Sequence, residues 1–119
     1  MFSSSFTISN LYHSAALEST ALVTGNASLP AGGADLLGFI AENTSGSTVW
    51  FQIFDGHAAP AGASVPLVSI KATTGQQISF DSNVFHALHV ADGIVIVTST
   101  TGPTYTAAGS SSFISAFWK

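Results

Sequence analysis

Both alternating faces of one predicted strand, residues 49–54, are apolar. One face carries valine, phenylalanine and isoleucine, and the other carries Trp50, Gln52 and Phe54. A strand with one solvated face alternates apolar and polar residues, so we expect this strand to be covered on both sides. Either a loop of the same chain or another subunit provides the outer cover. The N-terminal forty residues are the local cover that we expect, and a partner subunit is the external one.

Short runs of β-branched and aromatic residues, separated by Gly, Pro, Asn and Ser, predict many short strands. About eight are expected, at residues 6–12, 20–24, 36–42, 48–54, 65–71, 77–81, 93–100 and 113–118. This spacing predicts an all-β fold, an antiparallel two-sheet sandwich for which a jelly roll is one available arrangement. Residues 14–22 also fit a short helix as an alternative.

The turn-forming cluster Asn43-Thr44-Ser45-Gly46 lies between two strong predicted strands. We therefore predict that residues 36–54 form an antiparallel hairpin. The chain is one domain by length, at 119 residues. Within it we expect residues 1–35 to be an N-terminal arm or first strands that pack on the domain or on a neighbour. Residues 36–119 are expected to form the core of the sandwich.

Charged residues make up only 7% of the chain, and Lys71 and Lys119 are its only basic residues. Two lysines cannot neutralise a row of phosphates, which argues against a nucleic-acid partner. The net charge of −4 argues against binding to an anionic membrane, and no stretch approaches the roughly 20 apolar residues that span a bilayer. The chain has no cysteine, so disulfides and thiolate metal sites are excluded.

The chain is nevertheless 46% hydrophobic, with a mean hydropathy of +0.45. A surface of Ser, Thr, Gly and Ala gives weak protection against association. One interpretation is a compact monomer with a neutral surface. The interpretation that we favour is a subunit that hides much of its surface in an assembly.

Candidate chemistry is sparse. His86 and His89 form an H-x-x-H pair near Asp81 and Asp92, which is a weak candidate for a metal site. The alternative is two loop histidines that make local hydrogen bonds. Asp55 and Asp81 each end a predicted strand, where a carboxylate usually accepts backbone N–H groups. The sequence has no nucleophile elbow and no phosphate loop, so we predict a non-enzymatic protein without a cofactor.

Aromatic side chains could instead serve binding. We expect a subunit interface at Trp50, Gln52, Phe54, Phe117 and Trp118. The competing expectation is carbohydrate binding, in which an exposed aromatic ring stacks on a sugar. The two differ in whether these rings are buried at a contact or left open beside Asp or Asn.

Several motifs resemble a group of small tailed-phage virion proteins. They are WFQIFD at 50–55, APAGA at 59–63, VP at 65–66, GIVIVTST at 93–100 and PTYT at 103–106. The resemblance covers residues 36–118, and its motifs are structural rather than catalytic. It implies a single β-domain placed on the phage particle and assembled in the host cytoplasm.

The resemblance implies head decoration, which stabilises the capsid, or a tail or fibre component that contacts host glycans. Its implied partners are copies of the same chain, with a trimer favoured by capsid symmetry, and a major capsid or tail protein. Residues 1–35 show no such resemblance.

Overall fold

The computed structural model of the chain describes residues 12–18, 34–56, 60–81, 88–108 and 112–118. Side chains are described for residues 35–56, 60–79 and 88–108, and for Ile114 and Ala116. The described chain is built of strands: β1 (Tyr12–Glu18), β2 (Ala34–Asn43), β3 (Val49–Asp55), β4 (Val68–Ala72), β5 (Gln77–Asp81), β6 (Leu88–Val90), β7 (Ile94–Ser99) and β8 (Ser112–Trp118). Among these residues no helix is long and apolar enough to cross a membrane.

The strands form two antiparallel sheets. The larger has the order β1-β8-β2-β5, and β6 pairs with the beginning of β2. The smaller has the order β4-β3-β7. The chain passes repeatedly from one sheet to the other, which is the jelly-roll pattern. The all-β, two-sheet sandwich predicted from the sequence is confirmed.

The core lies between the two sheets. Leu36 and Phe39 of β2 and Ile114 of β8 meet Phe51 and Ile53 of β3, and all five side chains are at most 1% exposed. Each such side chain contributes roughly 1.5–3 kcal/mol through burial. Every residue of β7 is buried as well, so the strand is covered on both faces.

The predicted hairpin over residues 36–54 is wrong, because β2 and β3 belong to different sheets. The reason is Asn43, whose side chain is fully buried at the corner between them. Its Nδ2 donates to the carbonyls of Ser47 at 2.7 Å and Ala72 at 3.0 Å, and its Oδ1 accepts the backbone N–H of Ser45 at 2.9 Å. These bonds tie the turn to the end of β4 and direct β3 into the other sheet.

Other differences are smaller. The helix considered for residues 14–22 is wrong over residues 14–18, which belong to β1 and pair with β8. His89, which was considered as a loop histidine, lies in the short strand β6. The predicted strand at 20–24, and all of 6–12 except Tyr12, lie outside the described residues.

Candidate functional site

The outer face of the β4-β3-β7 sheet holds the residues that the sequence singled out. Gln52 is 0% exposed and Phe54 is 9% exposed, although both face away from the main core. Residues 100–106, which follow β7, run across this face and cover it. We call this segment the 100–106 loop. The cover therefore comes at least in part from this loop, a segment that the sequence did not suggest.

Gln52 fastens the loop to β3. Its Nε2 lies 2.8 Å from the Thr101 carbonyl oxygen, 3.0 Å from that of Gly102 and 3.2 Å from that of Thr104. The hydroxyl of Ser69, on β4, lies 3.2 Å from the same nitrogen. An amide nitrogen carries two protons, so these four acceptors share two donors. The loop therefore presents its carbonyl oxygens inward and is held by one buried amide.

Ser99 and Thr101 give the loop its internal shape. The Ser99 hydroxyl accepts the backbone N–H groups of Thr101 at 3.1 Å and Thr106 at 2.9 Å, and donates to the Thr101 carbonyl at 2.8 Å. The Thr101 hydroxyl donates to the Thr104 carbonyl at 2.6 Å. Hydroxyl groups that bond to neighbouring backbone in this way stabilise turns. The Ser/Thr-rich sequence of this stretch thus has a structural purpose.

The other end of the loop is joined to residues 61–64. The backbone N–H of Ala63 donates to the Tyr105 carbonyl at 2.8 Å, and the N–H of Tyr105 donates to the Ser64 carbonyl at 2.8 Å. Tyr105 is 8% exposed and packs edge-on against Phe54, with ring centroids 6.1 Å apart. With Val95 and Val97 these rings form a second, smaller apolar cluster under the loop.

Trp50, near the beginning of β3, is half-buried. The Lys71 ammonium lies 6.0 Å from its ring centroid, at the limit of a cation–π contact. Gly102 lies against the ring, and a Cβ at position 102 would come within 2.8 Å of the Trp50 Nε1 atom. Only glycine lets the loop approach the tryptophan this closely.

The five residues expected at an interface therefore have different surroundings. Gln52 and Phe54 are enclosed by their own chain, whereas Trp50 is partly open to solvent. On β8, Phe117 is paired with Gly38 and Trp118 with Leu36. The side chains of Phe117 and Trp118 lie outside the described residues. Among the five residues expected at the interface, Trp50 is therefore the one whose side chain is described and is partly accessible to solvent.

Ionisable groups gather at one end of the sandwich. His89 Nδ1 lies 2.8 Å from Asp35 Oδ1, and the two side chains are 60% and 50% exposed. Asp55 accepts the backbone N–H groups of Ala91 at 2.9 Å, Asp92 at 2.8 Å and Gly93 at 3.2 Å. Asp55 is therefore the turn cap that the sequence predicted.

These contacts change the acidity of Asp55. Partial burial alone would raise its pKa, but the three backbone N–H donors and the nearby His89 outweigh this effect. The pKa of Asp55 is lowered from its ordinary value of 3.8. The carboxylate stays ionised and holds the turn between β6 and β7.

The weak metal candidates are not brought together in the described structure. His89 pairs with Asp35, whereas His86 lies outside the described residues. Within the described ranges no group of three or more His, Asp or Glu side chains could hold a metal ion. The alternative of a loop histidine with a local hydrogen bond does not describe His89 either, because His89 lies in β6 and its partner Asp35 is 54 residues away along the chain.

Exposed apolar side chains are the remaining feature. Val65 is 74% exposed and Leu67 is 53% exposed, and both immediately precede β4. Ile40, on β2 in the other sheet, is 40% exposed. The sequence predicted a strand at residues 65–71, in which Pro66 suggested an edge strand or a strand start, but it did not indicate that Val65 and Leu67 would be exposed.

Comparison with known proteins gives a limited set of likenesses. No family model matches the chain, and no curated protein matches it. Among solved structures, the coat protein of Tobacco streak virus at 2.1 Å resolution is similar with a TM-score of 0.40 and 11% identity, covering 92% of this chain and 86% of that one. A dimer structure of that coat protein has a TM-score of 0.37 and 14% identity, covering 91% of this chain and 85% of that one. At these TM-scores the likeness carries no implication for function.

Proposed function

We propose that this chain is a non-enzymatic structural protein of a virus particle that acts as a subunit of a symmetric assembly. The observation that carries the proposal is its surface. Val65, Leu67 and Ile40 are exposed on a chain with 7% charged residues. A subunit that packs against identical copies gains affinity from shape, apolar contact and multivalency, and it avoids the cost of desolvating charges.

The distribution of charge supports the same proposal. Asp35, Asp55, Asp92 and His89 lie together at one end of the sandwich. Residues 93–118 contain no Asp, Glu, Lys, Arg or His, and residues 60–70 contain none either. The exposed residues within 60–70 and within the 100–106 loop therefore carry no formal charge, and copies of a chain with net charge −4 can meet there without placing acids against acids.

Among the five residues expected at the interface, Trp50 is the direct contact that we propose. Gln52 and Phe54 contribute by holding the 100–106 loop flat over the sheet. Phe117 and Trp118 of β8 complete the proposed set. Replacing Trp50 by Ser should release monomers that remain folded by circular dichroism, whereas Trp50→Phe should keep the oligomer because an apolar ring remains. Equal oligomer stability in both variants would remove Trp50 from the interface.

In its finer form the proposal places the chain on the head of a tailed phage as a decoration protein, in trimers, after assembly in the host cytoplasm. The resemblance of residues 36–118 to small tailed-phage virion proteins supports this form. Quantitative mass spectrometry of purified particles should find the chain in a fixed ratio to the major capsid protein. Its absence from washed particles would contradict the proposal.

The second candidate is a tail or fibre component that binds carbohydrate. The half-exposed ring of Trp50 is the observation that favours it. A glycan that stacks on this ring should change tryptophan fluorescence, and the change should disappear in the Trp50→Ser variant. The decoration role instead predicts no response to sugars.

A further inference from the structure

The chain contains two Asp-Gly pairs, Asp55-Gly56 and Asp92-Gly93. At such a pair the backbone nitrogen of the glycine can attack the carboxyl carbon of the aspartate, because glycine has no side chain that hinders the approach. The succinimide ring that forms then takes up water and opens to aspartate or to isoaspartate. Both pairs lie at the same end of the sandwich, where β3 ends and β7 begins. The structure protects them to different degrees.

Both reacting groups of Asp55-Gly56 are held by hydrogen bonds. The Asp55 carboxylate accepts the backbone N–H groups of residues 91–93 at 2.8 to 3.2 Å. The Gly56 N–H donates to the Gly93 carbonyl at 3.0 Å. A nitrogen whose proton is held in this way is a poorer nucleophile, and a carboxylate that accepts three hydrogen bonds is not free to turn towards it. This pair should therefore not cyclise while the chain is folded.

Only one reacting group of Asp92-Gly93 is held. The Asp92 side chain is exposed, and among the described residues its carboxylate has no hydrogen-bond donor. The Gly93 N–H donates to Asp55 Oδ1 at 3.2 Å, the longest of the three bonds that this carboxylate accepts. The same oxygen also accepts the Asp92 N–H at 2.8 Å. The nitrogen of Gly93 is thus restrained by one shared acceptor, and the carboxyl group that it would attack is free to turn.

We propose that Asp92 is a site of spontaneous isomerisation to isoaspartate, and that the Asp55 carboxylate sets the rate by holding the Gly93 N–H. In the first step the Gly93 nitrogen bonds to Asp92 Cγ, and the hydroxyl of the protonated carboxyl group leaves with the amide proton as water. In the second step water adds to the main-chain carbonyl of Asp92, and the original C–N bond breaks. One water molecule is released and one is consumed, so the mass of the chain is unchanged. This inference does not depend on the proposed assembly.

The product should not fit the turn between β6 and β7. Residues 91–93 present their N–H groups at the spacing that the Asp55 carboxylate accepts. In isoaspartate the chain runs through the former side-chain carbon, which adds one backbone atom between the N–H groups of Asp92 and Gly93. The modified chain should therefore lose part of this hydrogen bonding and unfold more easily than the unmodified chain.

Digestion with endoproteinase Asp-N tests the proposal, because this enzyme cleaves before aspartate but not before isoaspartate. The full chain is incubated folded in warm buffer at pH 5, where the Asp55 carboxylate stays ionised because its pKa is lowered. It is then unfolded, digested and analysed by mass spectrometry. The unmodified chain gives the peptides 81–91 and 92–119, whereas isomerisation of Asp92 leaves the uncut peptide 81–119.

The second Asp-Gly pair is an internal comparison in the same digest. Isomerisation of Asp55 would leave the uncut peptide 35–80. We expect the peptide 81–119 to accumulate with time while 35–80 stays at its starting level. Accumulation of 35–80 first would overturn the proposal. It would also be overturned if neither peptide accumulated over a period in which the chain unfolded in urea gives both.

Two variants separate the role of Asp55 from a general loss of stability. Asp55→Ser removes the acceptor of the Gly93 N–H and should raise the rate of isomerisation at Asp92 about tenfold or more. Gly102→Ala is the matched control, because it strains the contact with Trp50 and leaves the Asp55 carboxylate in place. Its rate at Asp92 should equal that of the wild-type chain. An unchanged rate in Asp55→Ser, or the same acceleration in both variants, would overturn the role given to Asp55.

Discussion

Replacing Gln52 by leucine or by glutamate, which are similar in size, should separate the contribution of its donated hydrogen bonds from the cost of its unpaired acceptor. Its Nε2 donates into three carbonyl groups of the 100–106 loop, whereas its Oε1 is buried with no partner in the described structure. Leucine removes both the donors and the unpaired acceptor. Glutamate keeps the acceptor and replaces the donating nitrogen by a second oxygen that faces the carbonyl groups.

The expected magnitudes follow from these contacts. Two donated hydrogen bonds contribute about 1–3 kcal/mol in total, and a buried unpaired acceptor costs about 1–3 kcal/mol. Each carbonyl also keeps a second donor, from Ser99, Ser69 or Thr101. Gln52→Leu should therefore lower the free energy of unfolding by about 1 kcal/mol or less. Gln52→Glu should lower it by at least about 3 kcal/mol at pH 7, because it leaves an unpaired charge in a buried site.

Urea denaturation at pH 7 and pH 4 measures both effects. Burial raises the pKa of the introduced glutamate in the folded state, so its penalty is smallest below the unfolded value of about 4.3 and grows as the pH rises above it. In thermal unfolding at pH 7, the melting temperature of the glutamate variant should lie roughly 8 °C or more below that of the leucine variant. Equal stability of the two variants at pH 7, or a leucine variant that loses more than about 3 kcal/mol, would refute the role given to Gln52.

Three further substitutions have definite expectations. Gly102→Ala should cost about 1–3 kcal/mol in thermal unfolding and shift the emission of Trp50, because the new methyl group displaces the ring; unchanged emission would contradict this contact. Asp55→Asn should lose about 1 kcal/mol of stability. Because the pKa of Asp55 is lowered in the folded state, this loss of stability should be complete well above pH 3.8 and should disappear as the pH falls below that value. A loss of stability that persists in acid would contradict the role given to Asp55. Asp35→Asn should change the free energy of unfolding by less than about 1 kcal/mol, because its pair with His89 is largely exposed; a larger change would show a buried role.

The strands could be predicted where the sequence alternates or is continuously apolar. Residues 77–81 alternate, and they form β5 as predicted. Residues 93–100 begin with the continuous apolar run 94–97, and β7 occupies Ile94–Ser99 within the predicted strand. In these segments the pattern of side chains directly reflects burial on one or both faces of a sheet.

The partner of each strand was harder to predict. The cluster Asn43-Thr44-Ser45-Gly46 has the composition of a hairpin turn. However, the Asn43 side chain donates a hydrogen bond to the carbonyl of Ala72, 29 residues away. The same residues suit a tight hairpin and a corner between sheets, and the choice depends on where β4 ends. Strand β6 has three residues, too few to show a period.

The cover over β3 could not be predicted for a related reason. The apolar residues on both faces of residues 49–54 correctly indicated that the outer face of this strand is covered. However, Gln52 binds backbone carbonyls 49 to 52 residues further along the chain, and every residue type supplies a carbonyl. Gly102 was the one available signal, because the loop approaches Trp50 where only glycine fits.

Absolute mass by light scattering on a sizing column, over a hundredfold range of concentration, tests the central claim most directly. The proposed assembly predicts one stable species whose mass is a whole multiple, greater than one, of 12.1 kDa. A mass of 12.1 kDa at every concentration would contradict it.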